Sequence, residues 1–158
     1  MRLIIAGSRS FKDSLRLRNF IQEMVRTCED RLKTETVLEL VCGCAEGIDR
    51  IAGHNELWDG PVYRVVDGVA HFPVTKEDWR KTGRSAGLKR NEEMVRYANE
   101  IGQGGLLALW DGQSNGTRHM VKTATESKMK VWLITLKQDS TEPNTLEVTS
   151  EHFYYGNK

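Results

Sequence analysis

The segment Leu3-Ile4-Ile5-Ala6-Gly7-Ser8-Arg9, near the start of the chain, decides the fold class. Four consecutive apolar residues that stop at a glycine are typical of a strand buried on both faces, as in a parallel sheet. A polar turn follows, and then apolar residues recur at spacings of three and four from Leu17 to Cys28. This spacing predicts a helix with one apolar face. A buried strand followed by an amphipathic helix is the beginning of a βαβ unit.

The same alternation continues along the chain. Apolar runs predict further strands from Val37 to Val41, Val62 to Val66, Leu106 to Trp110 and Val131 to Leu136. Helical spacing predicts helices from about Gly47 to Trp58, from Gly83 through Leu88, Asn91, Met94, Val95 and Ala98, and from Thr117 to Lys128. Residues 67 to 83 are predicted to be irregular, because Asp67-Gly68 indicates a turn and His71-Phe72-Pro73 cannot continue a helix. We therefore expect an α/β fold with a mostly parallel sheet of about five strands and helices on both faces.

Length and composition fit one ordinary globular domain. The chain has 158 residues and a formal net charge of +1, with 23 basic and 22 acidic side chains. We expect the domain to cover residues 1 to 136, followed by a polar extension at 137 to 158 that either adds an edge strand or is loosely held. The near balance of charge argues against a nucleic-acid partner. No apolar run has the length of a signal peptide or a membrane span, so we expect a soluble, cytoplasmic protein with no membrane partner.

Three cysteines, Cys28, Cys42 and Cys44, are present. The number of cysteines is odd, and Cys42 and Cys44 are only two residues apart. Both facts argue against a disulfide framework and favour a reducing compartment. A zinc site needs wider spacing and a second ligand pair, so we predict no metal site. Nothing in the sequence calls for a cofactor.

Three predicted strands end in loops of similar design. Gly7-Ser8-Arg9 follows the first strand, Cys42-Gly43-Cys44-Ala45-Glu46-Gly47-Ile48-Asp49 the second, and Asp111-Gly112-Gln113-Ser114-Asn115-Gly116-Thr117-Arg118 the fourth. Each loop has small residues before the start of a helix, where free N–H groups suit a phosphate. Ligands of parallel sheets bind at the carboxyl ends of the strands, which is where these loops lie. Singly, each loop is explained equally well as a tight turn, with Thr117 as a helix cap. Together they favour a ligand site with hydroxyl donors (Ser8, Ser114, Thr117) and phosphate-binding arginines (Arg9, Arg118).

The most basic stretch runs from Trp79 to Asn91 and contains Arg84 and Arg90. One interpretation is a solvated loop that leads into a helix. The other is a further wall of the ligand site, because cations at the start of a helix oppose the helix dipole unless an anion lies between them. Asp49 and Asp111 are candidate acceptors for ribose hydroxyls, and Trp79 is a candidate for stacking on a base, whereas core packing better suits Trp110. His71 and His119 have no Ser or Cys partner that would indicate a triad.

These motifs, in this order, resemble the YspA-like branch of the SLOG superfamily over about residues 1 to 136. The matching segments are Gly7-Ser8-Arg9, Gly43-x-Ala45-x-Gly47-x-Asp49, Phe72-Pro73, Asp78-Trp79, Gly83-Arg84, Ala86-Gly87, Arg90-Asn91 with Met94, and Trp110-Asp111-Gly112-x-Ser114-x-Gly116-Thr117-Arg118-His119. The superfamily includes DprA, the LOG enzymes that cleave cytokinin nucleotides, and sensor domains for nucleotide signals. The resemblance implies a Rossmann-like fold with its ligand site at the strand-end loops, Arg90 at the place of a functional arginine and Gly116-Thr117 in the phosphate-binding loop.

One departure bears on catalysis. LOG-like enzymes have Pro-Gly-Gly-x-Gly-Thr-x-x-Glu, and Met120 stands at the place of the glutamate. A thioether cannot act as an acid or base. We therefore expect a module that senses or sequesters a nucleotide-derived ligand. The alternatives are a LOG-like N-glycosidase or phosphoribohydrolase that uses Glu92, Glu93 or Asp49, and a DprA-like nucleic-acid binder. The resemblance also leaves a homodimer open.

The predicted ligand-binding residues share a position in the strand-end loops or in the basic stretch. They are Gly7, Ser8, Arg9, Gly43, Cys44, Ala45, Gly47, Asp49, Arg84, Arg90, Asn91, Asp111, Gly112, Ser114, Gly116, Thr117 and Arg118.

Overall fold

The computed structural model describes residues 1–58 and 67–156, which form six strands and five α-helices. The strands are β1 (Arg2–Gly7), β2 (Glu39–Cys42), β3 (Val69–His71), β4 (Gly105–Trp110), β5 (Lys130–Gln138) and β6 (Leu146–Tyr154). The helices are α1 (Leu15–Leu32), α2 (Ile48–Ala52), α3 (Lys76–Thr82), α4 (Ser85–Ala98) and α5 (Asn115–Glu126).

All six strands belong to one sheet, in the order β3-β2-β1-β4-β5-β6. The first five strands of that order run parallel, and β6 pairs with β5 in the antiparallel sense. The fold is therefore α/β, with a mostly parallel but mixed sheet. The central strand β1 lies between β2 and β4, so the loops after these three strands end at the same edge.

Alternate residues of β1 enter two separate cores. Leu3 and Ile5 pack with the buried residues of α1 and α2, whereas Ile4 and Ala6 pack with those of α4 and α5. Helices therefore cover both faces of the sheet. This arrangement explains the uninterrupted apolar run in the sequence, because neither face of β1 meets solvent.

Residues 67 to 83 are more regular than the sequence predicted. Val69–His71 forms β3, which pairs with β2, and Lys76–Thr82 forms α3. The prediction of irregular structure is wrong for these two segments. Three residues are too few to show a period, and α3 buries none of its residues, so it lacks the apolar stripe that reveals a helix. The strand predicted from Val62 to Val66 lies outside the described residues.

Two predicted helices have different limits. The helix predicted from about Gly47 to Trp58 ends at Ala52, and a short 3₁₀ turn follows at Asn55–Leu57. The last helix begins at Asn115 rather than Thr117 and ends at Glu126. The earlier start brings Gly116 and Thr117 into the first turn of α5.

The C-terminal segment extends the sheet. β6 pairs with β5 along its length, and the rings of Trp132 and Phe153 stack with centroids 5.5 Å apart. Trp132 is almost fully buried, and its indole N–H donates to Glu151 at 3.2 Å. The segment after residue 136 thus covers a core side chain of β5. Within the described residues, no helix has the length and apolar character needed to cross a membrane.

Candidate functional site

The ends of β1, β2 and β4 open onto a cavity of about 570 Å³, which we call the first cavity. Eleven of the seventeen predicted residues line it. These are Gly7, Arg9, Ala45, Asp49, Arg84, Arg90, Asn91, Asp111, Ser114, Gly116 and Thr117. The structure therefore brings the three strand-end loops and the basic stretch together around one space.

Ser8 lies behind the cavity wall, although it was predicted to bind the ligand. It is fully buried, and its backbone N–H donates to the carbonyl of Leu109 at 3.0 Å. Its hydroxyl accepts a hydrogen bond from the backbone N–H of Asp111, also at 3.0 Å. Ser8 thus fixes the end of β1 against the end of β4.

Gly43 and Gly47 also lie outside the lining, and both allow close packing of the loop after β2. The carbonyl of Gly43 accepts a hydrogen bond of 2.6 Å from Arg90. Gly47 has φ of 77°, and a Cβ at this position would collide with the carbonyl oxygen of Ser8. The two glycines shape the wall through the backbone.

Three further predicted residues do not line the cavity. Cys44 has φ of 59°, and its Sγ lies 3.2 Å from Nδ1 of His71, so the prediction that His71 has no Cys partner is wrong. Burial raises the pKa of the Cys44 thiol, so the pair favours a protonated thiol rather than a nucleophilic thiolate. Gly112 forms the turn after β4 with φ of 86°, and the Arg118 guanidinium lies 5.5 Å from the ring centre of Trp110.

Asp49 and Arg90 form the charged centre of the site. The Asp49 side chain accepts a hydrogen bond of 3.1 Å from the backbone N–H of Gly7, and its nearest approach to the Arg90 guanidinium is 4.0 Å. Burial raises the pKa of Asp49 to about 6, against the opposing effects of Arg90 and of hydrogen bonds from Gly7 and Ala45. Arg90 Nε is buried and has no partner among the described residues. The pair is therefore held close without being fully satisfied.

Asp111 is an organised acceptor on the opposite side of the cavity. Its carboxylate accepts hydrogen bonds from the N–H groups of Gln113 and Ser114, at 2.9 and 2.8 Å, and from the Ser10 hydroxyl at 2.7 Å. Burial opposes ionisation, but these hydrogen bonds prevail and lower the pKa of Asp111. An ionised carboxylate accepts hydrogen bonds only, so it suits hydroxyl or N–H donors of a ligand.

The N-termini of α4 and α5 both border the first cavity. Neither has a side-chain cap, and neither has an acidic residue in its first turn. The first turn of α4 contributes Gly87 and Leu88, and that of α5 contributes Asn115, Gly116 and Thr117. The N–H of Ala86 donates to the carbonyl of Gly83 at 3.1 Å. Helix geometry leaves the other N–H groups of both first turns without an intrahelical partner, so N–H donors and the positive ends of two helix dipoles border one space.

Several lining residues were not among the seventeen predicted ligand-binding residues, although Trp79 was a candidate for stacking on a base. They are Ala6, Ser10, Trp79, Gly87, Leu88, Asn115 and Met120. Leu88 shares the helical spacing of the buried residues of α4, yet 40% of its surface is exposed and it borders the cavity. Met120 is 2% exposed and belongs both to the cavity lining and to the core. Helical periodicity assigns such residues to the core because it cannot distinguish a cavity from packed side chains.

The remaining candidate groups take structural positions. Glu92 and Glu93 are exposed and do not line the cavity. His119 Nδ1 lies 3.2 Å from the amide nitrogen of Asn91, which is buried and also donates to the carbonyl of Gly116 at 3.3 Å. Asn91 therefore connects α4 to the first turn of α5. In the part of the chain that the structure describes, no group of three or more His, Cys, Asp or Glu side chains has a metal-binding arrangement.

Comparison with known proteins supplies a family. No protein-family model matches the chain, and no solved structure matches it. The Gene 61 protein of Mycobacterium phage D29 is 31% identical over 134 residues, which cover 82% of this chain and 93% of the phage protein. The match thus extends over nearly the whole relative. The chain belongs to the same family as the Gene 61 protein of Mycobacterium phage D29.

Proposed function

We propose that the first cavity binds a nucleotide or a nucleotide-derived ligand through its phosphate and ribose, and that the protein senses or sequesters this ligand. The observation that carries the proposal is the convergence of the uncapped N-termini of α4 and α5 on one cavity. Two such termini offer N–H donors and positive dipole ends to an anion.

The charges of the lining support an anionic ligand with hydroxyl groups. The lining contains three arginines, Arg9, Arg84 and Arg90, and two acidic residues, Asp49 and Asp111. Arginine suits phosphate oxygens because its planar fork donates two parallel hydrogen bonds. The ionised Asp111 carboxylate suits the hydroxyl groups of a ribose.

An apolar part of the lining supports a base. Trp79 and Leu88 are 38% and 40% exposed although both are large and apolar. The Arg9 guanidinium lies 5.8 Å from the centre of the Trp79 ring. Exposed aromatic and aliphatic surface beside a phosphate-directed end fits the planar face of a nucleobase.

The strand order supports a Rossmann-like classification. We extend the proposal to SLOG membership because the motifs from Gly7-Ser8-Arg9 to Trp110–His119 resemble those of that superfamily. The cavity lies where β1 meets β4, and the chain leaves β1 toward β2 on one side and enters β4 on the other. Ligands of open α/β sheets bind at such points. Met120, in place of the glutamate of LOG-like enzymes, favours binding over cleavage.

A second candidate function is hydrolysis of an N-glycosidic bond, and Asp49 is the observation that favours it. Asp49 lines the cavity, and a carboxyl group with a pKa of about 6 can exchange protons near neutral pH. Glu92 and Glu93, the other candidates for this role, do not reach the cavity lining. The Asp49→Asn variant would then lose turnover while it kept its fold.

Thermal shift measurements with AMP, ADP and other nucleotides, followed by recovery of each ligand for mass analysis, test both functions. A ligand at about a hundred times its dissociation constant adds about 2.7 kcal/mol to the unfolding free energy. Stabilisation with intact recovery supports the binding module. Recovery of free base and sugar phosphate, with no such cleavage by Asp49→Asn, would show that the protein is an N-glycosidic hydrolase and not a binding module. If no nucleotide shifts the melting temperature, both proposed functions are contradicted.

A further inference from the structure

A second cavity of about 500 Å³ adjoins the first. The two cavities share Ser10 and Asp111, whose side chains are joined by a hydrogen bond of 2.7 Å. Because this Ser10–Asp111 pair borders both cavities, we call it the ridge. A ligand that passes over the ridge would contact both cavities.

The second cavity differs chemically from the first. Its lining contains two lysines, Lys12 and Lys137, and its one carboxylate among the described residues is that of Asp111. Hydroxyl and amide side chains complete much of the wall: Gln113, Thr135, Gln138, Ser140 and Thr149. No tryptophan or tyrosine of the described residues lines it, and Phe11 is buried in the core. This set suits hydroxyl groups and phosphate oxygens better than a stacked base.

The wall of the second cavity is fixed before any ligand arrives. The Gln138 side chain accepts a hydrogen bond from the backbone N–H of Lys12 and donates to its carbonyl, both at 2.7 Å. The same amide group donates to the carbonyl of Pro143 at 2.9 Å. Gln138 therefore ties the loop after β1 to the end of β5 and to the turn before β6. Preorganised walls lower the cost of ordering on binding.

The lysines retain donors for a ligand. Among the described residues, Lys12 Nζ donates to the carbonyl of Ser140 at 3.3 Å, and an ammonium group has three donors. The nearby Asp139 carboxylate accepts hydrogen bonds from Thr141 and Glu142. These hydrogen bonds lower the pKa of Asp139, and the positive charge of Lys137 acts in the same direction.

We propose that the second cavity binds a second sugar-phosphate unit of the same ligand, so that the protein takes a two-part ligand with two sugar units joined through phosphate. This inference rests on the proposed function of the first cavity. The nucleotide half occupies the first cavity with its phosphates at the N-termini of α4 and α5. Hydroxyl groups of the ligand cross the ridge at Ser10 and Asp111, and the second half meets Lys12 and Lys137.

Calorimetric titration with AMP, ADP and ADP-ribose tests the inference. AMP and ADP can fill the first cavity, and ADP-ribose adds the second sugar. We expect ADP-ribose to bind the wild-type chain at least about tenfold more tightly than ADP. Lys137→Gln should remove most of this advantage and leave the AMP affinity within about twofold. Thr149→Trp, which places a large side chain in the second cavity, should have the same effect.

Lys122→Gln is the matched control, because Lys122 is an exposed lysine of α5 outside both cavities. It should bind all three compounds as the wild type does. If AMP binds but ADP-ribose binds no more tightly than ADP, or if Lys137→Gln weakens AMP and ADP-ribose equally, the second-cavity inference is wrong and the proposed function survives. If none of the three binds, the proposed function fails and the inference fails with it.

Discussion

At the scale of single residues, Asp49 affects both the stability of the fold and the candidate site. Its carboxyl group is buried between the ends of β1 and β2, where Gly7 donates to it and Arg90 lies near it. The sequence placed Asp49 in the site because it follows the glycine loop. It could not show that the side chain is buried, because burial depends on α4 bringing Arg90 to the same place.

Asp49→Asn should change the pH dependence of stability. The folded pKa of about 6 lies above the usual 3.8, so the folded state binds more protons between these values, and stability from this group falls as pH rises through that window. The full difference between the two pKa values corresponds to at most about 3 kcal/mol of unfolding free energy. Urea unfolding from pH 4 to 7 should show wild type losing stability relative to Asp49→Asn. Parallel curves would contradict the buried, neutral carboxyl at low pH.

Gly47→Ala should destabilise the chain by at least about 2 kcal/mol, because a side chain at positive φ is strained and its Cβ would meet the carbonyl of Ser8. Gly87→Ala is the control, since a Cβ there has no neighbour within 4 Å. Gly87 lies inside α4, so alanine should add about 0.5–1 kcal/mol. Equal effects of the two substitutions on the urea midpoint would show that the loop after β2 is not held as described.

At the scale of elements, the sequence predicted the central strands and the long helices well. β1, β4, β5, α1 and α4 bury a face or a stripe, and burial leaves a period in the sequence. Elements without buried residues leave none, and α3 is the clearest case. Its one local sign is the capping box from Thr75 to Asp78, in which each residue's side chain bonds the other's backbone N–H. The capping box marks where α3 begins, but it does not show that Trp79 reaches the first cavity.

The first turn of α5 provides a test that separates stability from binding. Gly116→Asp places a carboxylate at the positive end of the helix dipole, and a Cβ at this position has free space around it. We expect stability to rise by about 0.3–1 kcal/mol, because the new charge complements the dipole. AMP affinity should fall by at least about tenfold, because the same charge repels the phosphate.

Gly116→Asn is the matched control for that variant, since it has nearly the same shape without the charge. Thermal unfolding and AMP titration of both variants give the two quantities. If the aspartate leaves AMP affinity equal to that of the asparagine variant, the phosphate does not lie at the N-terminus of α5.

At the scale of the whole molecule, the carboxyl ends of the parallel strands carry the site, and β6 forms one lateral edge of the sheet. The parallel order of the first five strands follows from the alternation of strands and helices, which the sequence shows. The antiparallel β6 does not follow from it. Its burial is slight, and its pairing with β5 depends on the stacking of Phe153 on Trp132 rather than on a pattern within residues 146 to 154.

Phe153→Ala should therefore cost about 2 kcal/mol in unfolding free energy, because it uncovers the buried Trp132 ring. The neighbouring Tyr154 is 42% exposed, so Tyr154→Ala should cost less than about 1 kcal/mol. Neither variant should alter AMP affinity, since neither residue lines the first cavity. Urea unfolding followed by tryptophan fluorescence gives the two stabilities, and an undiminished midpoint for Phe153→Ala would show that β6 does not stabilise the sheet.

The proposed function requires that the cavity at the ends of β1, β2 and β4 recognises a nucleotide by its phosphate. Calorimetric titration of the wild-type chain with AMP and with adenosine tests it most directly, because the two ligands differ only in that group. We expect AMP to bind at least about tenfold more tightly than adenosine, and we expect the difference to diminish as salt is raised. Equal affinities for AMP and adenosine, or no binding of either, would contradict it.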